Sequence, residues 1–183
     1  MKLTSYTGRP AESREPKEMA CYDLLEALHI PFTRVDHEPA MTIDQCHEAE
    51  AALGVKICKN LFLCNRQKTK FYLLLLRGDK VFHTKHLSAC LGCSRLSFAS
   101  GRDMERVLGV SPGSATALAL LNDPEKEVTL VIDKTVVEEP QFACHPCFNT
   151  STVAFQTEDL LTKILPHLDR TAAIVDLPED EDA

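Results

Sequence analysis

Two apolar runs separated by a short polar loop constrain this chain more than any other feature of its sequence. The first run covers residues 57–63, the loop covers 65–69, and the second run covers 71–76. Apolar runs of this length, bounded by polar residues, are typical of strands in the core of a sheet. The pattern therefore predicts two neighbouring buried strands joined by a polar turn.

Lys59 and Asn60 interrupt the first of these runs. Removing an ammonium from water costs free energy, so a lysine is rarely buried unless it is paired or takes part in function. Taken alone, the position of Lys59 is most simply interpreted as the solvated start of a strand. Other parts of the chain must decide between a structural and a functional lysine.

The composition is that of one globular domain with tails. The 183 residues are 44% hydrophobic and 26% charged, with a net charge of −7. Four of the carboxylates lie in residues 179–182, which we interpret as a solvated acidic tail. The rest of the chain has no broad basic surface, so a contact with nucleic acid is expected to be local. No apolar run approaches the roughly 20 residues of a membrane helix, and we expect a cytoplasmic protein without a membrane partner.

Eight cysteines include two C-x-x-C pairs, Cys90 with Cys93 and Cys144 with Cys147. Such pairs are typical of zinc sites and redox dithiols, but here they are separated by about 50 residues, more than a compact zinc finger allows. Cys90 also has helical spacing with Leu87 on a predicted apolar helix face. We therefore expect reduced core cysteines and no metal, with a zinc or redox module as the alternative.

The remaining elements predict a mixed α+β fold. We divide the chain into an arm (1–15), a domain (16–177) and a tail (178–183). Thr42 is a plausible N-cap of the second helix. The predicted helices cover residues 16–30, 42–54, 84–91, 103–108 and 158–168, and further strands cover 32–35, 95–99, 128–133, 139–143, 151–155 and 173–176. Their irregular alternation indicates a mixed sheet flanked by helices.

Residues 109–116 form a loop of small residues around the turn signal Pro112-Gly113. Glycine at this position permits a close approach between the backbone and a ligand. A turn of this kind also occurs without any function, so the loop alone decides nothing.

Three stretches together resemble one known family. They are residues 59–63, residues 95–99 with 109–114, and His145-Pro146 with Asn149-Thr150. In this order and spacing they resemble the YbaK/prolyl-tRNA synthetase-associated domain family, and above all its free-standing alanyl-tRNA(Pro) trans-editing deacylases. The resemblance covers residues 17–177 and implies a mixed, mostly antiparallel sheet flanked by helices.

The resemblance implies an enzyme that hydrolyses alanine from mischarged proline tRNA without a metal or cofactor. It assigns the essential catalytic side chain to Lys59 and the wall of the aminoacyl pocket to the 109–113 loop and His145. The substrate-binding residues that it implies are Asn60, Gly109, Ser111, Pro112, Gly113, Ser114, Asn122 and His145. The implied partners are the acceptor end of tRNA(Pro) and prolyl-tRNA synthetase. Cys147 and Phe148 depart from the family pattern, which puts the preferred amino acid in doubt.

The chemistry of the residues agrees with this assignment. An aminoacyl ester is already activated, so a catalyst mainly positions water and stabilises an oxyanion. Backbone N–H groups of Gly113 and Ser114 and the cation of Lys59 are suited to the oxyanion. No strong general base stands beside them, and the resemblance suggests that a ribose hydroxyl of the substrate helps to activate water. His145 is either a base or a hydrogen-bonding group of the pocket wall.

Two alternatives share the predicted fold. The chain could bind tRNA or a synthetase without catalysis, although the presence of both Lys59 and the 111–114 loop argues against this. It could also remove cysteine or serine, rather than alanine, from a mischarged tRNA.

Overall fold

The structure, a computed structural model, describes residues 3–39 and 43–179, with side chains from residue 46 onward in the second range. The strands are β1 (Ser5–Thr7), β2 (Thr33–Asp36), β3 (Lys59–Cys64), β4 (Phe71–Leu76), β5 (Ser97–Phe98), β6 (Val128–Asp133), β7 (Gln141–Cys144), β8 (Ser151–Gln156) and β9 (Ala172–Val175). The α-helices are α1 (Pro16–Ala27), α2 (Ile43–Leu53), α3 (Thr84–Leu91), α4 (Gly101–Leu108), α5 (Lys134–Val137), α6 (Thr157–Asp159) and α7 (Leu165–His167). A 3-10 helix covers Ala117–Asn122 and a π-helix covers Leu160–Ile164. The predicted N-cap Thr42 and tail residues 180–183 lie outside the described residues.

The described strands form two sheets, flanked by helices. The first sheet has the order β1-β2-β8-β7 and is antiparallel throughout. The second has the order β5-β3-β4-β6-β9, antiparallel from β5 to β4 and parallel from β4 to β9. The predicted α+β class with mostly antiparallel pairing is confirmed. Two sheets form because β2 pairs with β8, a strand far along the chain, and not with the next strand, β3.

Both faces of the second sheet are covered, which explains the continuous apolar run of β4. Leu73 and Leu75 face the main core, together with residues of α1 and the first sheet. Leu74 and Leu76 face a second core under α3. A strand buried on both faces has no polar face and therefore shows no alternation in its sequence. Strand β3 follows the same rule from Phe62 onward.

Part of the predicted N-terminal arm is a strand of the first sheet. β1 pairs with β2 in the register Tyr6 to Arg34. Farther along the arm, Arg14 donates hydrogen bonds to Asp36 at 2.8 Å and to Ser151 at 2.9 Å. These contacts connect the arm with α1, β2 and β8, and nothing in its polar composition had indicated them.

Helix α3 begins and ends where the sequence predicts it. It ends at Gly92, which has a positive φ of 62° that favours glycine. The expectation that Cys90 packs on the apolar face of α3 is wrong, because Cys90 is exposed while Leu87 is buried. Within residues 3–39 and 43–179, no helix is long and apolar enough to cross a membrane.

Candidate active site

A cavity of about 630 Å³ opens at the start of β3. Its wall combines elements that are far apart in sequence: α2, β3, the loop after β4, α4, the loop after α4 and the loop after β7. The residues that line it are Cys46, His47, Glu50, Lys56, Ile57, Cys58, Lys59, Asn60, Gly78, Asp79, Met104, Gly113, Ala115 and His145. A volume of this size is within the range of small-molecule sites. Lys59, Asn60, Gly113 and His145, four of the residues predicted from sequence, therefore meet at one cavity.

Lys59 is half-buried and its ammonium is held by a backbone atom. Its Nζ donates a hydrogen bond to the carbonyl oxygen of Lys80 at 2.8 Å. No carboxylate of a described residue forms an ion pair with Lys59. An ammonium has three N–H donors, so two remain for a ligand. The hydrogen bond thus holds the ammonium in one position, and the group keeps its positive charge.

The residue that holds Lys59 is itself anchored by a buried ion pair. Lys80 Nζ lies 3.1 Å from Asp133 Oδ2, and the two side chains are 2% and 0% exposed. Asp133 also accepts hydrogen bonds from the backbone N–H groups of Thr135 and Leu177. Burial raises the pKa of Asp133, but hydrogen bonds from Thr135, Leu177 and Lys80 outweigh burial and hold it below its ordinary value. The ion pair therefore fixes the segment that positions the Lys59 ammonium.

Asn60, the next residue of β3, also lines the cavity and has an unsatisfied acceptor. Its Nδ2 donates to the carbonyl oxygen of Cys58 at 3.0 Å, which fixes the orientation of the amide. Its Oδ1 is buried and has no hydrogen-bond partner among the described residues. Leaving such an atom unpaired costs about 1–3 kcal/mol, which a ligand donor offsets. Because Asn60 lines the cavity, Oδ1 is a candidate acceptor for an N–H or O–H group of a bound molecule.

His145 is buried in the wall of the cavity with one ring nitrogen committed. Its Nδ1 lies 2.8 Å from the carbonyl oxygen of Ser151, so Nδ1 carries the proton. Burial lowers the pKa of His145, and the nearby His37 lowers it further. The hydrogen bond to the Ser151 carbonyl raises the pKa but does not compensate, so the net change is a decrease. The ring is therefore neutral at neutral pH, and Nε2 retains its lone pair. Ser151 in turn donates to Asp36 at 2.7 Å, which fixes the strand that holds the ring.

Gly113 provides backbone to the cavity from the predicted small-residue turn. Its φ of +86° lies in the region that favours glycine. The N–H of Ser114 donates to the carbonyl oxygen of Ser111 at 2.9 Å and is therefore used within the turn. Of the two backbone donors expected from sequence, only the N–H of Gly113 has no acceptor among the described residues.

The other predicted binding residues do not line the cavity; they are Gly109, Ser111, Pro112, Ser114 and Asn122. Asn122 donates to the carbonyl oxygen of Leu108 at 3.0 Å. Gly109 ends α4 at a φ of +65°, and a Cβ there would lie 3.4 Å from the Asn122 amide. A Cβ on Gly101 would lie 2.8 Å from Pro112 Cγ, so these two residues pack closely. Contacts of this kind shape the loop that carries Gly113.

Sequence reasoning missed the contribution of α2 and of the loop after β4. Glu50 accepts a hydrogen bond from the Ile57 N–H at 2.8 Å and lies 2.9 Å from His47 Nδ1. Asp79 is bound by Arg77, which lowers the pKa of its carboxyl despite some burial. Both carboxylates are therefore engaged by other groups of the chain. No local signal distinguished these residues from ordinary surface acids.

The cysteines do not form one cluster. Cys93 packs against the core under α3, whereas Cys144 and Cys147 belong to the main core, where Cys147 Sγ lies 3.4 Å from Cys21 Sγ. Across residues 3–39 and 43–179, no three histidine, cysteine or acidic side chains are grouped so that they could hold a metal. Cys58 lines the cavity, and burial raises the pKa of its thiol to about 12.

The two departures from the family pattern lie away from the cavity. Cys147 is fully buried against Cys21, and Phe148 has the Lys17 ammonium 5.7 Å from its ring centroid. Neither residue lines the cavity, so neither has a direct contact through which it could set the preferred amino acid.

Comparison with known families agrees with this geometry. Residues 37–163 match the family described as the aminoacyl-tRNA editing domain. The chain belongs to this family. The matched range contains every residue that the sequence assigned to the site. The resemblance drawn from sequence is confirmed, and so, at the level of the family, is the prediction of an aminoacyl-tRNA hydrolase.

Individual relatives of the editing family point to proline tRNA. The prolyl-tRNA editing protein ProX of Acetoanaerobium sticklandii is 33% identical over 136 residues, which cover 74% of this chain and 83% of that protein. The prolyl-tRNA synthetase associated domain-containing protein 1 of Danio rerio is 31% identical over 141 residues, 76% of each chain. A crystal structure described as a candidate trans-editing enzyme for prolyl tRNA synthetase has a TM-score of 0.69 at 18% identity and covers 92% of this chain and 100% of its own, which shows the same fold.

Proposed function

We propose that this editing protein hydrolyses the ester of alanyl-tRNA(Pro) in trans, with the acceptor end of the tRNA in the cavity at the start of β3. The observation that carries the proposal is the convergence of Lys59, Asn60, Gly113 and His145 on that cavity. The relative named as a prolyl-tRNA editing protein supports tRNA(Pro) as the substrate. Similarity to a proline–tRNA ligase of Methylobacillus flagellatus, 28% identical over 134 residues, supports prolyl-tRNA synthetase as a partner.

The reaction requires attack of water on an activated ester. The water oxygen adds to the ester carbonyl carbon, and the bond from that carbon to the ribose oxygen then breaks. A proton returns to the ribose oxygen, which gives free tRNA and alanine. The main electrostatic demand is the negative charge that develops on the carbonyl oxygen. The two uncommitted N–H donors of Lys59 and the N–H of Gly113 meet this demand.

The substrate's amino acid carries a donor group that matches Asn60. Its α-amino group donates hydrogen bonds, and Asn60 Oδ1 is a buried acceptor without a partner among the described residues. Because ligand binding satisfies this atom, the contact favours an aminoacyl ester over a simple acyl ester. Asn60 therefore orients the amino acid while Lys59 faces its carbonyl oxygen.

Among the residues whose side chains the structure describes, no free carboxylate base lines this site. Glu50 and Asp79 are engaged by other groups of the chain. His145 is neutral and offers Nε2, which accepts a hydrogen bond from a substrate hydroxyl in the cavity wall. The ribose hydroxyl next to the ester then assists the water, as the family resemblance suggests. Positioning, rather than general base catalysis by a side chain, provides most of the rate enhancement.

Selectivity follows from the size of the amino acid. A proline-binding synthetase site cannot exclude alanine strongly, because a missing methylene costs only about 1–3 kcal/mol. A second site can exclude the larger proline by steric contact and hydrolyse the smaller alanine. Gly113 and Ala115 place backbone and one methyl group at the cavity wall. These small residues let the wall lie close to the substrate, which accommodates a methyl side chain.

The test is a panel of purified mischarged tRNAs incubated with the full chain. Each tRNA in the panel carries alanine, cysteine or serine and is a tRNA for which that amino acid is not cognate. The release of free amino acid is measured. We expect rapid release from alanyl-tRNA(Pro) only. Faster release of cysteine or serine would replace the proposed substrate, and no release from any tRNA would leave a module that binds without catalysis.

A further inference from the structure

One exposed and one half-buried aromatic side chain contact each other on the side of the second sheet that carries the core under α3. Phe98, in the edge strand β5, is 60% exposed. Its ring makes an edge-on contact with the half-buried Phe82, with centroids 6.0 Å apart. Val81, next to Phe82 in the chain, is also exposed. Single exposed apolar residues are ordinary, but an exposed aromatic ring that rests on a second ring offers a platform on which a flat ligand can stack.

Strand register places this patch on the same face of the sheet as Lys59. Side chains alternate along a strand, so Lys59, Leu61 and Leu63 of β3 point to one face. Leu63 pairs directly with Phe98 of β5, so the two side chains share that face. Lys59 and Leu63 are four residues apart, which corresponds to about 13 Å along a strand.

The segment after β4 connects the patch with the catalytic lysine. The carbonyl of Lys80 accepts the hydrogen bond from Lys59, and Phe82 lies two residues farther along the chain. Phe82 also packs against the core under α3, together with Leu61. The same short segment therefore positions the Lys59 ammonium and one ring of the patch.

An exposed cation lies near each aromatic residue in the chain. Lys85 follows Phe82 in the first turn of α3, and Arg95 precedes β5. Both are exposed, and neither forms an ion pair with a described residue. In a chain with a net charge of −7, such exposed cations beside an aromatic patch favour a polyanion over an acidic or apolar protein surface. Aromatic faces combined with nearby cations are the typical arrangement for binding unpaired nucleotides.

We propose that Phe98 and Phe82 stack against the unpaired 3′ nucleotides of the tRNA, while Lys85 and Arg95 contact the adjoining phosphates. This inference rests on the proposed function, since the esterified terminal nucleotide lies in the cavity and the preceding nucleotides leave it along the face that carries Phe98. Stacking does not depend on base identity. This surface therefore adds affinity and orients the 3′ end of the tRNA toward the cavity, but it does not recognise a base sequence.

The test measures binding of uncharged tRNA(Pro) by fluorescence anisotropy, so that it does not depend on hydrolysis. The second ligand is the same tRNA without its unpaired 3′ nucleotides. Phe98→Ala is expected to raise the Kd for intact tRNA about tenfold and to leave the Kd for the shortened tRNA unchanged. Phe98→Tyr, which keeps an aromatic face, retains tight binding. Ile174→Ala is the control, because Ile174 is 50% exposed on β9 at the opposite edge of the same sheet.

A double variant, Lys85→Gln with Arg95→Gln, tests the phosphate contacts. Its affinity should depend less steeply on salt than that of the wild type, whereas Lys163→Gln in the π-helix should keep the wild-type slope. Equal affinities of wild type and Phe98→Ala for intact tRNA would overturn the inference. If Phe98→Ala lost binding to prolyl-tRNA synthetase but bound tRNA as the wild type does, the inference would also be overturned, and the patch would be a protein-docking surface. Failure of the proposed function is seen separately, as absence of deacylation by the wild type.

Discussion

The ammonium of Lys59 donates a hydrogen bond to the backbone carbonyl of Lys80 at 2.8 Å, while the side chain of Lys80 is paired with Asp133 inside the protein. The two lysines therefore have opposite roles although they are in contact. Lys59 keeps its charge available to a ligand, and Lys80 holds the segment that orients it. Substitution of Lys59 should therefore affect mainly activity, and substitution of Lys80 mainly stability.

We predict that Lys59→Ala lowers the deacylation rate by about 10²–10³-fold, the loss that follows removal of one oxyanion donor in comparable hydrolases. The free energy of unfolding should change by less than about 1.5 kcal/mol, because one hydrogen bond to a backbone carbonyl is lost. Single-turnover kinetics and urea unfolding measure the two quantities. In contrast, Lys80→Ala should cost about 3–5 kcal/mol of stability, because it leaves Asp133 buried without its counter-ion. Normal turnover by a folded Lys59→Ala protein would remove the lysine from the mechanism.

The pH dependence of stability should report the buried His145. Its pKa in the folded protein is lowered, mainly by burial. As the pH falls through about 6.5, the unfolded chain takes up a proton at this residue while the folded chain does not, so stability is lost from that pH downward. The loss of stability ends only when the pH is below the pKa of His145 in the folded protein. Urea unfolding at pH 7 and pH 5 should show a smaller difference for His145→Gln than for the wild type, and an identical difference would contradict this assignment.

Gly113→Val should slow deacylation strongly. A Cβ at this position has room, since the nearest atom, the Asn149 amide nitrogen, is 3.6 Å away. The φ of +86° is nevertheless unfavourable for a β-branched residue, so the turn shifts and the N–H donor moves. Gly92→Val is the matched control, because Gly92 has a φ of +62° at the end of α3 with no atom near the added Cβ. Equal rates of the two variants would show that the 113 turn does not act at the cavity.

Activity should survive exhaustive chelation. The two C-x-x-C pairs carried the alternative of a zinc module. Cys90 is exposed and Cys93 packs against the core under α3, whereas Cys144 and Cys147 lie in the main core, so the two pairs cannot share one ion. Deacylation rates before and after dialysis against a chelator, together with metal analysis of the purified protein, provide the measurement. Stoichiometric zinc that is removed together with activity would establish the zinc alternative instead.

Local signals were sufficient for the interior elements of the fold. The strands Phe71–Leu76 and Val128–Asp133 have the bounds that their apolar runs predict. β1 was missed because it is a short, exposed strand whose residues are ordered by pairing with β2. α5 was missed because Thr135 and its neighbouring valines favour strands, whereas the Asp133 side chain caps a short helix there.

The candidate site could be predicted only where the family resemblance reached. Lys59 and His145 were found in this way, and the structure places both at the cavity. Glu50 and Asp79 had no signal, because their place in the wall depends on how α2 and the loop after β4 pack against β3. The buried pair of Lys80 with Asp133 joins residues 53 positions apart, and pairing over such a distance leaves no mark in local sequence.

The most direct test of the account compares alanine and proline on the same tRNA. Initial rates of ester hydrolysis are measured for alanyl-tRNA(Pro) and prolyl-tRNA(Pro) at equal concentration with the wild-type protein, corrected for spontaneous hydrolysis. The account predicts rapid release of alanine and release of proline at the uncatalysed rate, because the cavity excludes the larger ring. Comparable rates on both substrates would contradict selection by size.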